Sequence, residues 1–136
     1  MTSLSVLVVE DDLLLGFMLG EVLKELGYEI CAIEATEDDA IYAAAHYRPD
    51  LMIIDVFLKV GSGISAAARI CEAGFIPHIF MTGDYVAAKY QKPGAITIQK
   101  PFTENDLLKA IQQALLFTYK SRYNPAFNTS KILNQF

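Results

Sequence analysis

The sequence has no tryptophan, only two cysteines and five prolines in 136 residues, and no unbroken apolar run of membrane-spanning length. A membrane helix needs about 20 consecutive apolar residues, so none is expected. Cys31 and Cys71 stand far apart and lack the paired spacing of a zinc site or a disulfide framework. Both are expected to be small buried apolar residues with reduced thiols. Basic charge is scarce, with 11 Lys and Arg against 16 Asp and Glu, for a net charge of −5. Such a chain lacks the basic surface that neutralises phosphates, so a nucleic-acid partner is not expected. Acid, in turn, is missing from residues 117–136, whose charged residues are Lys120, Arg122 and Lys131. This stretch reads as a solvated basic tail. The polar start Met1-Thr2-Ser3 does not follow the basic-then-apolar pattern of a signal peptide, and a cytoplasmic location is expected.

What is present argues for one packed domain. Apolar residues make up 53% of the chain and charged residues 20%, a composition that can bury a core. Five short apolar runs read as strands: Ser5–Val9, Glu29–Ile33, Leu51–Asp55, His78–Met81 and Ile96–Gln99. Val6-Leu7-Val8-Val9 and Leu51-Met52-Ile53-Ile54 are continuously apolar, as in parallel strands covered on both faces. Glu29–Ile33 is weakly patterned and suits an edge.

Helical periodicity fills the intervals. Leu15, Met18, Leu19, Val22 and Leu26 form an expected apolar stripe that stops at Gly27. Thr36 begins a second helix as its cap, Ala40, Ala43, Ala44 and Tyr47 line its face, and Pro49 ends it. An alanine-rich third helix covers about Ile64–Ala73 and ends at Gly74. A fourth, within Tyr85–Tyr90, is expected to be short or irregular. Thr103 opens the last helix, with Leu107, Leu108, Ile111, Ala114 and Leu115 as its stripe. The alternation predicts an α/β fold with a doubly wound parallel sheet. Ligands of such sheets bind beyond the carboxyl ends of the strands.

Chemistry-bearing residues stand at those ends. Glu10, Asp11 and Asp12 follow the first strand, Asp55 ends the third, Thr82 and Gly83 follow the fourth, and Lys100 follows the fifth. Ionised carboxylates brought together repel, and an all-oxygen donor set suits Mg2+. An aspartate can act as a nucleophile toward phosphorus, with cations and donors stabilising the migrating group. Asp12 alone reads as a helix cap. His46 and His78 have no partner at ligand spacing and read as structural; Gly61 and Gly63 read as loop residues. Phe117, Tyr119, Tyr123, Phe127 and Phe136 fit packing on the last helix as well as they fit a partner-binding strip.

Val8-Val9-Glu10-Asp11-Asp12, Asp50-Leu51-Met52-Ile53-Ile54-Asp55, Thr82-Gly83 and Lys100-Pro101-Phe102 resemble, in order, the motifs of the response regulator receiver family. The resemblance covers about residues 4–116 and implies a flavodoxin-like strand order 2-1-3-4-5. Residues 1–119 are then the receiver domain, and 120–136 a tail without an effector domain. It also implies that Asp55 is the phosphoacceptor, that Thr82 and Lys100 engage the phosphoryl group, and that the Lys100–Pro101 bond is cis. Mg2+ would be bound by Asp11, Asp55 and the backbone carbonyl of Phe57, with Glu10 acting through water. The implied donor is a histidine kinase or a histidine phosphotransfer protein. The implied activity is self-phosphotransfer with slow autodephosphorylation, and no reaction on an outside substrate. Output would pass through protein contacts with an unspecified target, and homodimer formation is left open.

Three positions depart from the family pattern. Lys59 replaces the usual proline, Ser62-Gly63 stands where Asp-Gly is frequent, and Thr97 replaces the switch aromatic. These touch output more than phosphorylation. Lys59 and Thr97 also favour the chief rival, a pseudo-receiver that binds partners without being phosphorylated. A second rival, a phosphatase of the haloacid dehalogenase type, needs another Asp two residues after the nucleophile, where this chain has Phe57. Phe80-Met81-Thr82-Gly83 further resembles a Phe-x-Thr-Gly subgroup in which many members are stand-alone receivers.

Overall fold

The computed structural model describes residues 3–83 and 95–123, with side chains through residue 117. The described elements run β1 (Ser5–Val9), α1 (Leu13–Glu25), β2 (Glu29–Glu34), α2 (Glu37–Tyr47), β3 (Leu51–Asp55), α3 (Gly63–Glu72), β4 (His78–Thr82), β5 (Thr97–Gln99) and α4 (Glu104–Tyr123). All pairings are parallel and the strand order is β2-β1-β3-β4-β5. The weakly patterned second run is indeed an edge strand. The short helix expected within Tyr85–Tyr90 lies outside the described residues, as does most of the tail.

Strand side chains alternate between two cores. Val6, Val8, Leu51, Ile53, Ile79 and Met81 face α1 and α4, where Leu19, Leu23, Leu107, Ile111 and Ala114 meet them. Leu7, Val9, Met52, Ile54 and Phe80 face α2 and α3. There the helix residues are mostly small, Ala40, Ala43, Ala44, Ala66 and Ala67, with Ile70 the large one. Each fully buried Leu, Ile or Val stabilises the fold by about 1.5–3 kcal/mol, which makes the central strands its anchor.

Helix ends follow local chemistry. Asp12 caps α1, accepting from the amides of Leu14 (3.0 Å) and Leu15 (3.2 Å), and Gly27 adopts φ +97° just beyond its end. Thr36 caps α2 through the Asp39 amide at 3.1 Å. That helix closes at Arg48, in the left-handed region, directly before Pro49. Thr103 and Asp106 form a reciprocal cap at α4, with bonds of 3.0 and 3.1 Å.

The α1 stripe needs correction. Leu15 and Met18 are exposed, and the buried residues are Gly16, Leu19, Gly20 and Leu23. A Cβ at Gly16 would come within 3.0 Å of the Ile33 side chain, and one at Gly20 within 3.3 Å. The two glycines bring α1 onto edge strand β2 and turn the large residues of its first turns outward. Tyr47 is likewise exposed rather than part of the α2 face, and both cysteines are half-buried rather than buried. No described helix is long and apolar enough to cross a membrane.

Candidate functional site at the strand ends

Because all five strands run the same way, the residues after β1, β3, β4 and β5 share one rim. The structure brings Glu10, Asp11, Asp55 and Lys100 together there. The Lys100 ammonium donates to Glu10 Oε2 and to Asp55 Oδ2, both at 2.7 Å. Carboxylate oxygens of Glu10, Asp11 and Asp55 all lie within 4.8 Å of one another. The Lys100–Pro101 peptide bond is cis, as the resemblance implies.

Each acid is held differently. Glu10 is buried, and its Oε1 accepts from the Asp12 amide at 3.2 Å. Burial pushes its carboxyl above the usual carboxylate range and Asp55 adds to the rise, while the Lys100 ammonium opposes it. Asp11 is more open, and its Oδ2 accepts from the Lys59 amide at 2.7 Å. Asp55 is buried at the end of β3, and its Oδ1 accepts from the Phe57 amide at 3.2 Å. Burial works against the charge of Lys100, but its bonds to Asp55 and Glu10 hold the ammonium above the usual lysine value.

Thr82 is fully buried at the end of β4, and its carbonyl accepts from the Lys100 amide at 2.8 Å, tying the fourth and fifth strand ends together. The loop after β3 folds back on itself, with Phe57 and Ser62 forming an antiparallel bridge and the Gly63 amide donating to Val56 O at 3.0 Å. A Cβ at Gly63 would run into the Asp55 carbonyl, so α3 starts flush against the strand end. Gly63 was expected only as a loop residue. Ser62 caps α3, its Oγ accepting from the Ser65 amide at 3.3 Å, and a serine-glycine pair before the alanine-rich run was the available signal.

The donor set fits a hard divalent cation. Three carboxylates converge on a partly buried point, and one contacting ammonium offsets only part of their charge. The remaining candidates lie elsewhere. His46 stacks on Tyr42, and His78 contacts Ile76 O at 2.8 Å beneath Phe75 and Phe80. Asp12 is occupied as a cap. Sequence reasoning also missed the exposure of Leu13, Leu14, Phe17 and Met18, an apolar patch that follows the acids directly on α1.

Comparison with known proteins gives the family and agrees with the fold. The family described as "Response regulator receiver domain" matches residues 6–112. The transcriptional regulatory protein PdtaR of Mycobacterium tuberculosis is 33% identical over 114 residues, covering 81% of this chain and 56% of PdtaR. The solution structure of the PhyR receiver domain from Erythrobacter litoralis superposes with a TM-score of 0.75 at 32% identity, covering 86% of this chain and 93% of that one. The crystal structure of PhyR from Brucella abortus gives a TM-score of 0.82 at 26% identity, covering 92% of this chain and 53% of PhyR. The chain thus spans about half the length of the curated relatives it matches.

Proposed function

Since the chain belongs to the response regulator receiver family, we propose that it accepts a phosphoryl group on Asp55 from a histidine kinase or a histidine phosphotransfer protein. The observation that carries this reading is the Lys100 ammonium bridging Asp55 and Glu10 at 2.7 Å each, with Asp11 beside them on the same rim.

A carboxylate oxygen of Asp55 attacks the phosphorus of the donor's phosphoimidazole. The new P–O bond forms as the P–N bond breaks, and the imidazole leaves with the electron pair. Asp55 is pre-oriented by the Phe57 amide on Oδ1 and by Lys100 on Oδ2. Lys100 already lies where charge accumulates, and placed charges of this kind supply most of the catalysis in phosphoryl transfer. The Thr82 hydroxyl is assigned to a phosphoryl oxygen. Asp11, Asp55 and the Phe57 carbonyl would hold Mg2+, with Glu10 reached through water. The ion supplies neutralisation of the phosphoryl charge. The exposed Leu13, Leu14, Phe17 and Met18 on α1 support docking of the phosphodonor protein beside the acceptor.

Incubation with a small phosphodonor and Mg2+ should add one phosphoryl group by intact mass, and Asp55→Asn should abolish it. Unchanged labelling of Asp55→Asn would refute the acceptor assignment. A wild-type chain that stays unlabelled would favour the pseudo-receiver reading.

A further inference from the structure

Glu37 is the first residue of α2, yet its bonds reach into the loop after β3. Its Oε1 accepts from the Ser62 amide at 2.8 Å. Its Oε2 accepts from the Ser65 hydroxyl at 2.8 Å and from the Arg69 guanidinium at 2.9 Å. Its own amide donates to Val60 O at 3.2 Å. Glu37 therefore grips the loop on both sides of Gly61, which adopts φ +87° and where a Cβ would run into the Glu37 side chain. The side chain is 13% exposed, whereas its neighbour Asp38 is 88% exposed and meets Arg69 at 3.3 Å. An acid needed only to favour the start of α2 would resemble Asp38.

The same loop reaches the acceptor site from its other side. Ser62 bridges to Phe57, whose amide holds Asp55 Oδ1, and the Lys59 amide holds Asp11 Oδ2. One short path thus runs from the Glu37 carboxylate through Ser62 and Phe57 to Asp55, while the Glu37 backbone amide, through Val60 and Lys59 to Asp11, makes a second that side-chain variants leave in place. We propose that Glu37 is a positioning residue: its carboxylate fixes the loop carrying Phe57, and so sets how tightly the acidic site takes a divalent cation. Mg2+ demands near-ideal octahedral geometry, and a backbone carbonyl ligand can be aimed only by fixing its loop. The inference rests on the proposed cation site around Asp55.

The test is a titration of the full chain with Mg2+ alone, followed by amide NMR shifts at residues 10–12 and 55–59, with no phosphodonor present. Glu37→Ala should raise the half-saturating Mg2+ concentration about tenfold, the usual scale for losing a group that orients a ligand. Glu37→Gln keeps an oxygen for the Ser62 amide and should restore about half of that loss on a logarithmic scale. Arg69→Ala leaves the Ser62 and Ser65 bonds in place and should change the value less than about twofold. In a parallel phosphodonor assay the Mg2+ concentration that gives half-maximal labelling should rise in Glu37→Ala along with the half-saturating value from the titration. A merely structural Glu37 would lower the melting temperature and leave half-saturation unchanged, and that result overturns the proposal. If Glu37→Ala does not fold, Glu37→Gln carries the test with a threshold of about threefold. Absent labelling in a wild type that binds Mg2+ defeats the acceptor reading alone, because the titration still decides the role of Glu37.

Discussion

Gly63→Ala places two opposed effects at one position. In a helix, alanine is favoured over glycine by about 0.5–1 kcal/mol, because glycine loses more backbone freedom on folding. Here, however, the added methyl would meet the Asp55 carbonyl and lie 2.8 Å from Ile54 Cγ2. The obstruction is the backbone of a buried central strand, so it cannot swing aside as the end of a long side chain would. Overpacking of this kind costs about 1–3 kcal/mol. The cost outweighs the helical gain, and a net loss of about 1–2 kcal/mol is expected. At about 2.1 cal/mol/K of unfolding entropy per residue, that lowers the melting temperature of a domain this size by about 3–7 °C. Moving the start of α3 also strains the Gly63 amide bond to Val56 O and displaces Asp55, so phosphoryl uptake should slow. Thermal melts followed by circular dichroism, with intact-mass labelling in parallel, measure both effects. A melting temperature that rises, with labelling unchanged, would show that the chain from Asp55 to Gly63 relaxes freely and would refute the argument.

Lys100→Met removes the ammonium between Glu10 and Asp55, so Mg2+ affinity in a titration should rise at least about threefold while phosphoryl uptake falls about 100-fold; weaker Mg2+ binding would contradict the charge argument. Asp11→Asn should weaken Mg2+ binding far more than Asp12→Asn, and Asp12→Ala should instead cost about 1 kcal/mol in urea unfolding through loss of the α1 cap. The Ser62 amide, then Arg69 and Ser65, hold the Glu37 carboxyl below its ordinary value of 4.5. The folded state therefore favours ionised Glu37. The stability difference between wild type and Glu37→Gln should be fully present above pH 4.5 and fade as pH falls through the lower folded value. Urea unfolding of both proteins between pH 3 and 7 checks the sign, and a gap that widened on acidification would show it reversed.

The strands were legible because β1 and β3 are buried on both faces and so are written as unbroken apolar runs. Their predicted limits match those observed. Helix starts were legible where a side chain does the capping, as at Asp12, Thr36 and Thr103. The α1 face was misread because periodicity weighs large apolar residues, whereas this contact is made partly by Gly16 and Gly20, which register no hydrophobic signal. Of the residues expected to point inward, Leu15 and Met18 are exposed, and Met18 joins Leu13, Leu14 and Phe17 in the patch beside the acidic rim. Glu37 was invisible for a related reason. As one of three consecutive acids in a first turn it reads as helix electrostatics, and its partners Ser62, Ser65 and Arg69 are far away in sequence.

The site itself was legible because its residues oppose folding. Three carboxylates gathered at the ends of buried strands repel one another, and Glu10 bears a desolvation cost that lifts its proton affinity. A sequence optimised only for stability would place neutral or solvated residues there, as it does at the opposite ends of the same strands, where Ser5 and Asp50 simply pair through a 2.8 Å bond. Lys100 relieves the repulsion incompletely, since its ammonium lies 2.7 Å from two of the acids while Asp11 is held, among the described residues, by the Lys59 amide. Local conflict that the fold tolerates is a mark of function. In this chain it coincides with strand ends, a parallel sheet and a positioned lysine, which is why motifs weak in isolation point together to a single chemistry.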